Sequence, residues 1–460
     1  MATTILTGRN VLLPGSPVPK PATITIAPSG QITSVDDRWR PRDPDSVHAR
    51  WIDAQDDTVI PGLVDAHVHL NEPGRTDWEG FWTGTRAAAA GGVTCVVDMP
   101  LNSIPPTCTV ANLELKKQAA SGQCFTDVAF WGGVIPGNQA HLRPLVDAGV
   151  KGFKCFLINS GVEEFPCVSE SDAQRAMEVL QSPCKLGPKD SSTVLLFHAE
   201  FDASPAPQSA QPSTSYSTFL NSRPEKLETD AISLINRLQR QYPSLRCHIV
   251  HLSAASALPL IRAAKSSGLK LTVETCFHYL CLSADDIPSG HPEFKCCPPI
   301  RENTNRELLW EALLDGSIDC VVSDHSPCVA ELKKMDEGDI MGAWGGISTL
   351  GLGLSLLWTE GSKRGVSLAQ ILEWTSRKTA EHAGLGASKG QLKVGYDGDF
   401  VIWDPSAEFT VTKESLQFKN KLSPYEGLTL RGKVKQTYVR GNLVYDHSSG
   451  FESAPAGCLL

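Results

Sequence analysis

Residues 61–81 read PGLVDAHVHLNEPGRTDWEGF, an apolar run that ends with two histidines one residue apart. Side chains two residues apart on a β-strand lie on the same face, so His67 and His69 are predicted to point the same way at the carboxyl end of a strand. In barrel enzymes that end carries the chemistry. The fold to which this strand belongs therefore decides what the pair can do.

Apolar runs of this kind, eight in all and rich in β-branched residues, alternate with stretches of helical pattern. They lie at residues 58–70, 91–100, 127–134, 149–158, 193–200, 246–255, 269–280 and 318–327. Such runs, separated by room for a helix, predict parallel strands that are buried on both faces and connected by right-handed crossovers. Eight strands of this type close into an α/β fold of the (β/α)8 TIM-barrel class. An open doubly wound sheet is the alternative.

Both ends of the chain depart from this pattern. Short alternating segments with Gly and Asp turns predict a small β-sandwich domain that is built from the two termini. The predicted organisation assigns residues 1–57 and 386–460 to this domain and residues 58–385 to the barrel. A stretch rich in Pro, Ser and Gln at residues 201–217 predicts a mobile loop on the barrel rim.

The composition is that of an ordinary globular protein, with 41% hydrophobic and 20% charged residues in a chain of 460. A net charge of −9 without a long run of Lys or Arg argues against binding to nucleic acid or to an anionic membrane. No apolar stretch could span a bilayer and no secretory signal is evident, which predicts an intracellular, cytoplasmic protein, with the peroxisome as an open alternative. The 14 cysteines, with no Cys-X-X-Cys pair, are predicted to be reduced thiols.

Three more polar residues end predicted strands as His67 and His69 do. His198 closes one run, His251 another, and Asp324 the last. Because the carboxyl ends of the strands meet at one mouth of a barrel, all five side chains are predicted to converge there. Imidazole and carboxylate groups that cluster in a dry site are the ligand set of divalent metals such as zinc.

Lys154 lies inside the apolar run KGFKCFLIN, where an ammonium group is costly to desolvate. Burial lowers the pKa of a lysine, and the neutral amine is nucleophilic enough to react with carbon dioxide and form a carbamate. This carboxylate on a long arm could bridge two cations that the histidines hold. The other interpretations are that Lys154 extends to solvent or that Lys151 is the inward residue.

Together these features resemble the cyclic amidohydrolases of the amidohydrolase superfamily, most closely their allantoinase branch. The resemblance covers nearly the whole chain. Its motifs are GLVDAHVHLNEPGRTDWEGF from residue 62, MPLNS from 99, VKGFKCFL from 150, CHIVHLSAASAL from 247, FKCCPPIRE from 294 and VVSDHSPC from 321. The His-X-His pair is specific to the superfamily, whereas HLNEPGRTDWEGF together with MPLNS and SDHSPC is specific to the branch.

The resemblance implies a site with two divalent metal ions, expected to be zinc. The implied ligands are His67 and His69 on one ion, His198 and His251 on the other, carboxylated Lys154 as a bridge between them, and Asp324 as ligand and proton shuttle. The implied reaction is hydrolysis of the cyclic amide of allantoin to allantoate by a metal-bridging hydroxide. A homotetramer is the assembly that the resemblance suggests.

Substrate selection is predicted from the residues that follow the metal histidines. Dihydroorotases, which bind a carboxylated ring, typically carry Arg two residues after the second metal histidine. Here that residue is Asn71, which suits a neutral hydantoin better. Asn102 resembles a substrate-binding Asn of the family with its spacing shifted by one, and surface capping is its other interpretation. GAWGGI at residues 342–347 is predicted to form a rim loop whose backbone amides reach the substrate.

Two other functions stay open at this point. A dihydropyrimidinase or broad hydantoinase would use the same metal site and would differ only in how it recognises the ring. A non-catalytic scaffold derived from this fold would be expected to lose metal ligands, and none of the six is missing.

Overall fold

Gly62 divides the apolar run around His67 into two strands that enter different sheets. The structure is a computed structural model and describes residues 2–42, 48–181, 193–202 and 212–460. The strands up to the division are β1 (Thr4–Val11), β2 (Lys20–Ile26), β3 (Ile32–Asp36), β4 (Arg50–Asp53) and β5 (Thr58–Pro61). A Cβ at Gly62 would lie 2.1 Å from the hydroxyl oxygen of Thr94, so only glycine fits at the division without rearrangement.

The second part of the run begins the barrel. The barrel strands are β6 (Leu63–Val68), β7 (Val93–Asp98), β8 (Asp127–Phe130), β9 (Gly132–Gly133), β10 (Phe153–Phe156), β11 (Val194–His198), β12 (Arg246–Ile249), β13 (Leu271–Cys276) and β14 (Cys320–Val322). All neighbours pair in parallel, in the orders β6–β7–β8 and β9–β10–β11–β12–β13–β14. Trp131 alone separates β8 from β9, and a parallel bridge from Val68 to His325 closes the ring. The predicted (β/α)8 barrel is confirmed.

Helices fill most connections between these strands and cover the barrel. They are α1 (Phe81–Ala90), α2 (Val110–Ala120), α3 (Gln139–Asp147), α4 (Glu170–Leu180), α5 (Tyr216–Ser222), α6 (Lys226–Gln239), α7 (Leu258–Ser266), α8 (Phe277–Cys281), α9 (Asn303–Leu314), α10 (Ala330–Lys333), α11 (Gly353–Ser362), α12 (Leu368–Leu372) and α13 (Lys378–His382). Helix α6 buries Ala231, Ile235 and Leu238, the spacing of one helical face. Helix α4 begins at a capping box formed by Ser169 and Asp172.

The two chain termini build the other sheet together, as the sequence predicts. Its remaining strands are β15 (Phe400–Thr410), β16 (Thr429–Val439), β17 (Asn442–Asp446) and β18 (Gly450–Phe451), and the order is β18–β17–β16–β15–β5–β1–β2–β3, with β4 beside β1. Strand β5 joins the two halves, because Ile60 pairs with Val401. The N-terminal segment of this sheet thus extends to Pro61 rather than ending at residue 57. Ile24, Val59 and Phe400 belong to a separate apolar core under the sheet.

Three further features complete the description. Within the described residues, none of the helices combines the length and the apolar character needed to cross a membrane. The 13 cysteines of the described ranges are free thiols, as predicted. Residues 203–211 of the predicted rim loop lie outside the described residues, and α5 begins within its last part, at Tyr216.

Candidate active site

The six predicted metal ligands surround one cavity of about 310 Å³ at the carboxyl ends of the barrel strands. They are His67 in β6, His69 just after it, Lys154 in β10, His198 at the end of β11, His251 after β12 and Asp324 after β14. None exposes more than 7% of its surface. The structure thus brings together residues that are separated by up to 257 positions, from His67 to Asp324 (324 − 67).

One half of the cavity floor is formed by His67, His69 and Asp324. The Oδ1 atom of Asp324 lies 3.1 Å from Nε2 of His67 and 3.5 Å from Nε2 of His69. One ligand atom from each of the three residues lies within 4.8 Å of the other two. Two nitrogens and an oxygen at this spacing can contact one cation at ligand distances of about 2.0–2.2 Å after small adjustments.

His198 and His251 form the other half. Their ring centroids are 4.6 Å apart, and the ring of His251 lies 5.5 Å from that of His67. Among the described residues, Nδ1 of His251 is buried and has no hydrogen-bond partner. A buried polar atom without a partner costs free energy, so this nitrogen indicates a place for a ligand that the protein chain itself does not supply.

Lys154 projects into the cavity and not to solvent, with 1% of its surface exposed. Its Nζ lies 5.2 Å from the centroid of the Phe156 ring and makes no hydrogen bond or ion pair with any described residue. Burial lowers the pKa of Lys154 to about 8, although Asp324 and Glu274 oppose the shift. Lys151, the other lysine of the run, is only partly buried and does not line the cavity.

Carboxylates behind the cavity fix the orientation of two histidines. Nδ1 of His67 lies 2.5 Å from Oε1 of Glu274, and Nε2 of His198 lies 2.7 Å from Oε2 of Glu200. A ring nitrogen that faces an ionised carboxylate carries the proton, which leaves the other ring nitrogen as an electron-pair donor. His198 therefore offers Nδ1 for a metal ion, and His67 would offer Nε2 once a cation replaces the proton between Nε2 and Asp324.

The same groups determine the charge of the site. Burial disfavours the imidazolium of His67, but Asp324 and Glu274 outweigh it and raise the pKa of His67 to about 9. Burial lowers the pKa of His198 and lowers that of His251 further, so these two rings are neutral at neutral pH. The pKa of Asp324 stays well below its ordinary value, because His67 outweighs the effect of burial. Without a metal ion the site thus combines a protonated His67, neutral rings at His198 and His251, and an ionised Asp324, and a cation bound at His67 would displace a proton.

Four of the predicted site residues have a left-handed backbone. The φ angles are 64° at Asn71, 67° at Asn102, 39° at His251 and 42° at Asp324. Outside glycine this conformation is uncommon and costs about 1–3 kcal/mol at each position, and it tends to occur at functional sites. Each of these residues lies two to four positions after the end of a barrel strand, where the chain leaves the barrel wall.

The two predicted substrate contacts, Asn71 and Asn102, occupy different positions. Asn102 lines the cavity beside His69, with its Nδ2 3.3 Å from Nδ1 of that ring, and it exposes only 3% of its surface, so it is not a surface cap. Asn71 does not line the cavity; its Nδ2 donates to the carbonyl of Pro327 at 3.3 Å, and its Oδ1 has no partner among the described residues. A direct contact between Asn71 and substrate stays a prediction.

Two buried lysines hold the predicted rim loop, residues 342–347, from behind. Their Nζ atoms donate to backbone carbonyls of the loop and of the residue before it: Lys295 to Met341 and Ala343 at 2.7 Å each, and Lys333 to Trp344 at 3.0 Å and to Gly346. Burial lowers the pKa of Lys295 to about 8. Because Gly342, Ala343, Trp344 and Gly345 line the cavity, these bonds determine the shape of one wall.

Arg223 is a further cation in the cavity wall. Its Nη1 lies 2.6 Å from Oε2 of Glu200, the same oxygen that contacts His198. Arg223 outweighs the effect of burial and lowers the pKa of Glu200 to about 2. The charge of Arg223 is therefore matched within the protein.

Sequence reasoning did not identify the residues that support the metal ligands and the rim loop. They are Glu200, Arg223, Glu274, Lys295 and Lys333. Glu274 does give a signal, because it is a charged residue inside the apolar run LKLTVETCFHYL, as Lys154 is in its own run. The others lie at strand ends, in loops or on a short helix, where a charged residue is ordinary.

Comparison with known proteins agrees with this geometry. Residues 58–208 and 228–444 match a family model described as the amidohydrolase family. The chain is 50% identical to an allantoinase of Saccharomyces cerevisiae, over 88% of this chain and 86% of the relative. It is 48% identical to an allantoinase of Streptomyces avermitilis, over 96% and 95%. The chain belongs to the amidohydrolase family, on its allantoinase branch. Among solved structures, it is similar to an L-hydantoinase (dihydropyrimidinase) from Arthrobacter aurescens, with a TM-score of 0.89, 28% identity and coverage of 100% of this chain and 99% of the other.

An amidohydrolase is a hydrolase, and the family implies a binuclear metal centre. The residues present fit such a centre on three observations: the Nε2 atoms of His67 and His69 converge on Asp324, Nδ1 of His251 lacks a hydrogen-bond partner among the described residues, and Nζ of Lys154 contacts only the Phe156 ring, without a hydrogen bond or ion pair to a described residue. Imidazole nitrogens and carboxylate oxygens are the donors that zinc and similar divalent ions take.

Proposed function

We propose that this protein hydrolyses the cyclic amide of allantoin and opens the ring to give allantoate. The observation that carries the proposal is the convergence of four histidines, an aspartate and a buried lysine on one small cavity. The relatives named allantoinase, 48–50% identical over most of the chain, support allantoin as the ring that is opened.

The charges of the cavity wall favour a neutral ring over a carboxylated one. Arg223 is paired with Glu200, and Lys295 is bound to two carbonyls. A carboxylate on the substrate would therefore compete with bonds that already exist, whereas the urea-like groups of allantoin can use amides and carbonyls.

Two divalent cations held by the six ligands, for which we propose zinc, would supply a hydroxide nucleophile at neutral pH and polarise the amide carbonyl. His67 and His69 would hold one ion and His198 and His251 the other. Lys154 would hold both as a carbamate: its neutral amine forms an N–C bond to carbon dioxide and releases one proton. The unpartnered Nζ and the pKa of about 8 support this modification.

Asp324 is the proton carrier of the proposed mechanism. It is ionised, because its pKa lies well below the ordinary value, and its Oδ1 lies at the centre of the first ligand group. The carboxylate accepts the proton of the attacking water and then transfers it to the ring nitrogen as the amide bond breaks. Asn102, beside His69 in the cavity wall, is placed to hold the ring of the substrate.

Substrate comparison tests the proposal. The purified, zinc-loaded protein is expected to open allantoin with a kcat/KM at least about 100-fold above that for dihydroorotate, a difference of about 3 kcal/mol in transition-state binding. Ring opening is followed by the appearance of the ureido acid. Equal rates for the two substrates, or no hydrolysis of allantoin by the metal-loaded protein, would contradict the assignment.

A hydantoinase or dihydropyrimidinase activity is the second candidate. The similarity to the Arthrobacter aurescens L-hydantoinase over the whole chain favours it, although at 28% identity. Dihydrouracil discriminates between the two, since a dihydropyrimidinase would open it faster than allantoin. A homotetrameric assembly remains a prediction from the resemblance, which light scattering tests, and a cytoplasmic location remains a prediction from the sequence.

A further inference from the structure

Glu274 lies beneath the metal ligands, on β13, the strand between those that carry His251 and Asp324. It is completely buried, and its carboxylate faces the inside of the barrel. The proposed metal set takes no ligand from this strand. Glu274 therefore has no role in the proposed reaction as described so far.

One oxygen of Glu274 contacts both halves of the ligand set. Oε1 lies 2.5 Å from Nδ1 of His67 and 3.3 Å from the backbone nitrogen of His251. In the proposed centre His67 binds one ion and His251 the other. A single carboxylate oxygen thus accepts hydrogen bonds from two residues that serve different ions.

Each of these two hydrogen bonds fixes a conformation on which metal binding depends, one the ring of His67 and the other the backbone of His251. The bond to Nδ1 keeps a proton of His67 on that nitrogen and fixes the ring, so that Nε2 points to the place beside Asp324 where a cation would bind. The bond to the backbone of His251 holds a residue whose φ is 39°, a strained conformation that persists only where its surroundings enforce it. Loss of the carboxylate would release both constraints together.

The other oxygen of Glu274 is anchored away from the cavity. Oε2 lies 3.1 Å from Nε2 of His248, whose Nδ1 lies 2.7 Å from the hydroxyl of Thr272. Both carboxylate oxygens of Glu274 are therefore held by hydrogen bonds. Glu274, His248 and His382 also form a close buried group, but both ring nitrogens of His248 already contact Glu274 and Thr272, so His248 has no free nitrogen for a cation there.

We propose that Glu274 is a positioning residue that couples the two metal positions, by orienting His67 for one ion and His251 for the other. The inference rests on the two-metal centre of the proposed function. It requires that removal of one carboxylate weakens both ions and not one.

Metal titration of matched variants tests this coupling. Wild-type, Glu274→Gln, Glu274→Leu and Thr275→Val proteins are stripped of metal and titrated with Zn²⁺ in competition with a chromogenic chelator. Thr275 is the control, because it is buried on the same strand and bonds to the Leu252 carbonyl on the other side. Glu274→Leu is expected to weaken both ions by about 10–100-fold, and Thr275→Val to leave both affinities unchanged. Glu274→Gln keeps an accepting oxygen without the charge and is expected to lie between wild type and Glu274→Leu.

Allantoin turnover as a function of Zn²⁺ gives a second measurement. If Glu274 acts by positioning, excess Zn²⁺ restores most of kcat in Glu274→Gln, with KM for allantoin unchanged; a general loss of structure would not respond to the ion. The coupling would be overturned if Glu274→Leu kept wild-type affinity for either ion. If the leucine variant does not fold, Glu274→Gln replaces it, and wild-type affinity for both ions in that variant would overturn the coupling. A wild-type protein that binds fewer than two ions would overturn the proposed function itself and the coupling with it.

Discussion

Two groups of buried charged side chains lie at opposite ends of the barrel, and they differ in how completely they are paired. At the amino end of β8, Lys389 contacts three carboxylates, with Nζ 2.5 Å from Asp127, 2.8 Å from Asp397 and 2.8 Å from Asp399. Arg440 also pairs with Asp127. This group, here called the basal cluster, connects the barrel to the terminal sheet.

The group at the carboxyl ends is incompletely paired. Nζ of Lys154 and Nδ1 of His251 make no hydrogen bond or ion pair with a described residue, although both residues are buried like the lysine of the basal cluster. A buried charge that is fully paired stabilises the connection between two parts of a fold, and one that loses its partner destabilises it. A buried donor that evolution leaves without a partner indicates that another component completes it. The comparison therefore separates a structural group from a functional one without reference to any relative.

Lys154→Ala, in the incompletely paired group at the carboxyl ends of the strands, is expected to have the largest effect. If Lys154 holds both ions as a carbamate, the variant loses bound zinc, and kcat/KM for allantoin falls by at least about 10⁴-fold, on the order of 5 kcal/mol in transition-state stabilisation. The melting temperature of the metal-free protein should change little, because Lys154 loses only its contact with the Phe156 ring and no hydrogen bond or ion pair with a described residue. Metal analysis and steady-state kinetics measure these effects.

A control and a rescue sharpen that test. Lys151→Ala, on the same segment but outside the cavity, should cost much less. A short carboxylic acid added with zinc should restore part of the turnover of Lys154→Ala, since it can supply the missing carboxylate, and should have no effect on Lys151→Ala. Two tightly bound ions and full activity in Lys154→Ala would rule out the carbamate.

Asp324→Asn is expected to have the next largest effect. The amide keeps the shape of the side chain but cannot accept a proton, so kcat should fall by roughly 10²–10⁴-fold with a smaller change in KM. The adjacent His325 cannot substitute, because its Nδ1 accepts from the backbone nitrogen of Thr349 at 3.1 Å and its Nε2 lies 3.2 Å from Glu79. Near-normal turnover with both metals bound would show that another group carries the proton.

The barrel, and the group of polar residues that meets at its mouth, could be predicted because both depend on local patterns. Each barrel strand lies in an apolar run, and four of the candidate ligands, His67, His198, His251 and Asp324, lie at or just after the point where such a run stops, as in VLLFH at His198. Lys154 stood out since its neighbours on the strand are apolar. A parallel barrel then places all strand ends at one mouth, so local signals suffice to assemble the ligand set.

The supporting residues could not be predicted, because their roles depend on contacts between distant loops. Arg223 reaches Glu200 from a helix end 23 positions later in the chain. Lys333 is an ordinary helix residue in sequence, and only the path of the rim loop over it defines its role. The division at Gly62 also depends on a distant contact, with Thr94 on the neighbouring strand.

Lys389→Met tests whether the basal cluster has a structural role. The substitution leaves Asp127 and Asp399 as buried carboxylates with one cation fewer, which should lower the free energy of unfolding by about 3–5 kcal/mol. Because the basal cluster does not touch the cavity, the folded variant should keep two metal ions and the wild-type KM. Chemical denaturation measures the free energy of unfolding. If the folded variant also lost zinc, the basal cluster and the metal ligands would be coupled.

The smallest effect is expected from Lys333→Met, which tests whether a fully paired buried cation can also serve function. Lys333 does not line the cavity, yet it holds the carbonyls of Trp344 and Gly346 in the cavity wall. Loss of these bonds should loosen the wall and raise KM for allantoin by about 10-fold, near 1.4 kcal/mol, with kcat and zinc content little changed. Lys334→Met is the control, because its side chain is exposed and contacts Asp339 outside the cavity. An unchanged KM in Lys333→Met would mean that the rim loop keeps its shape without the lysine, and a loss of zinc would mean that the wall and the metal centre are not independent.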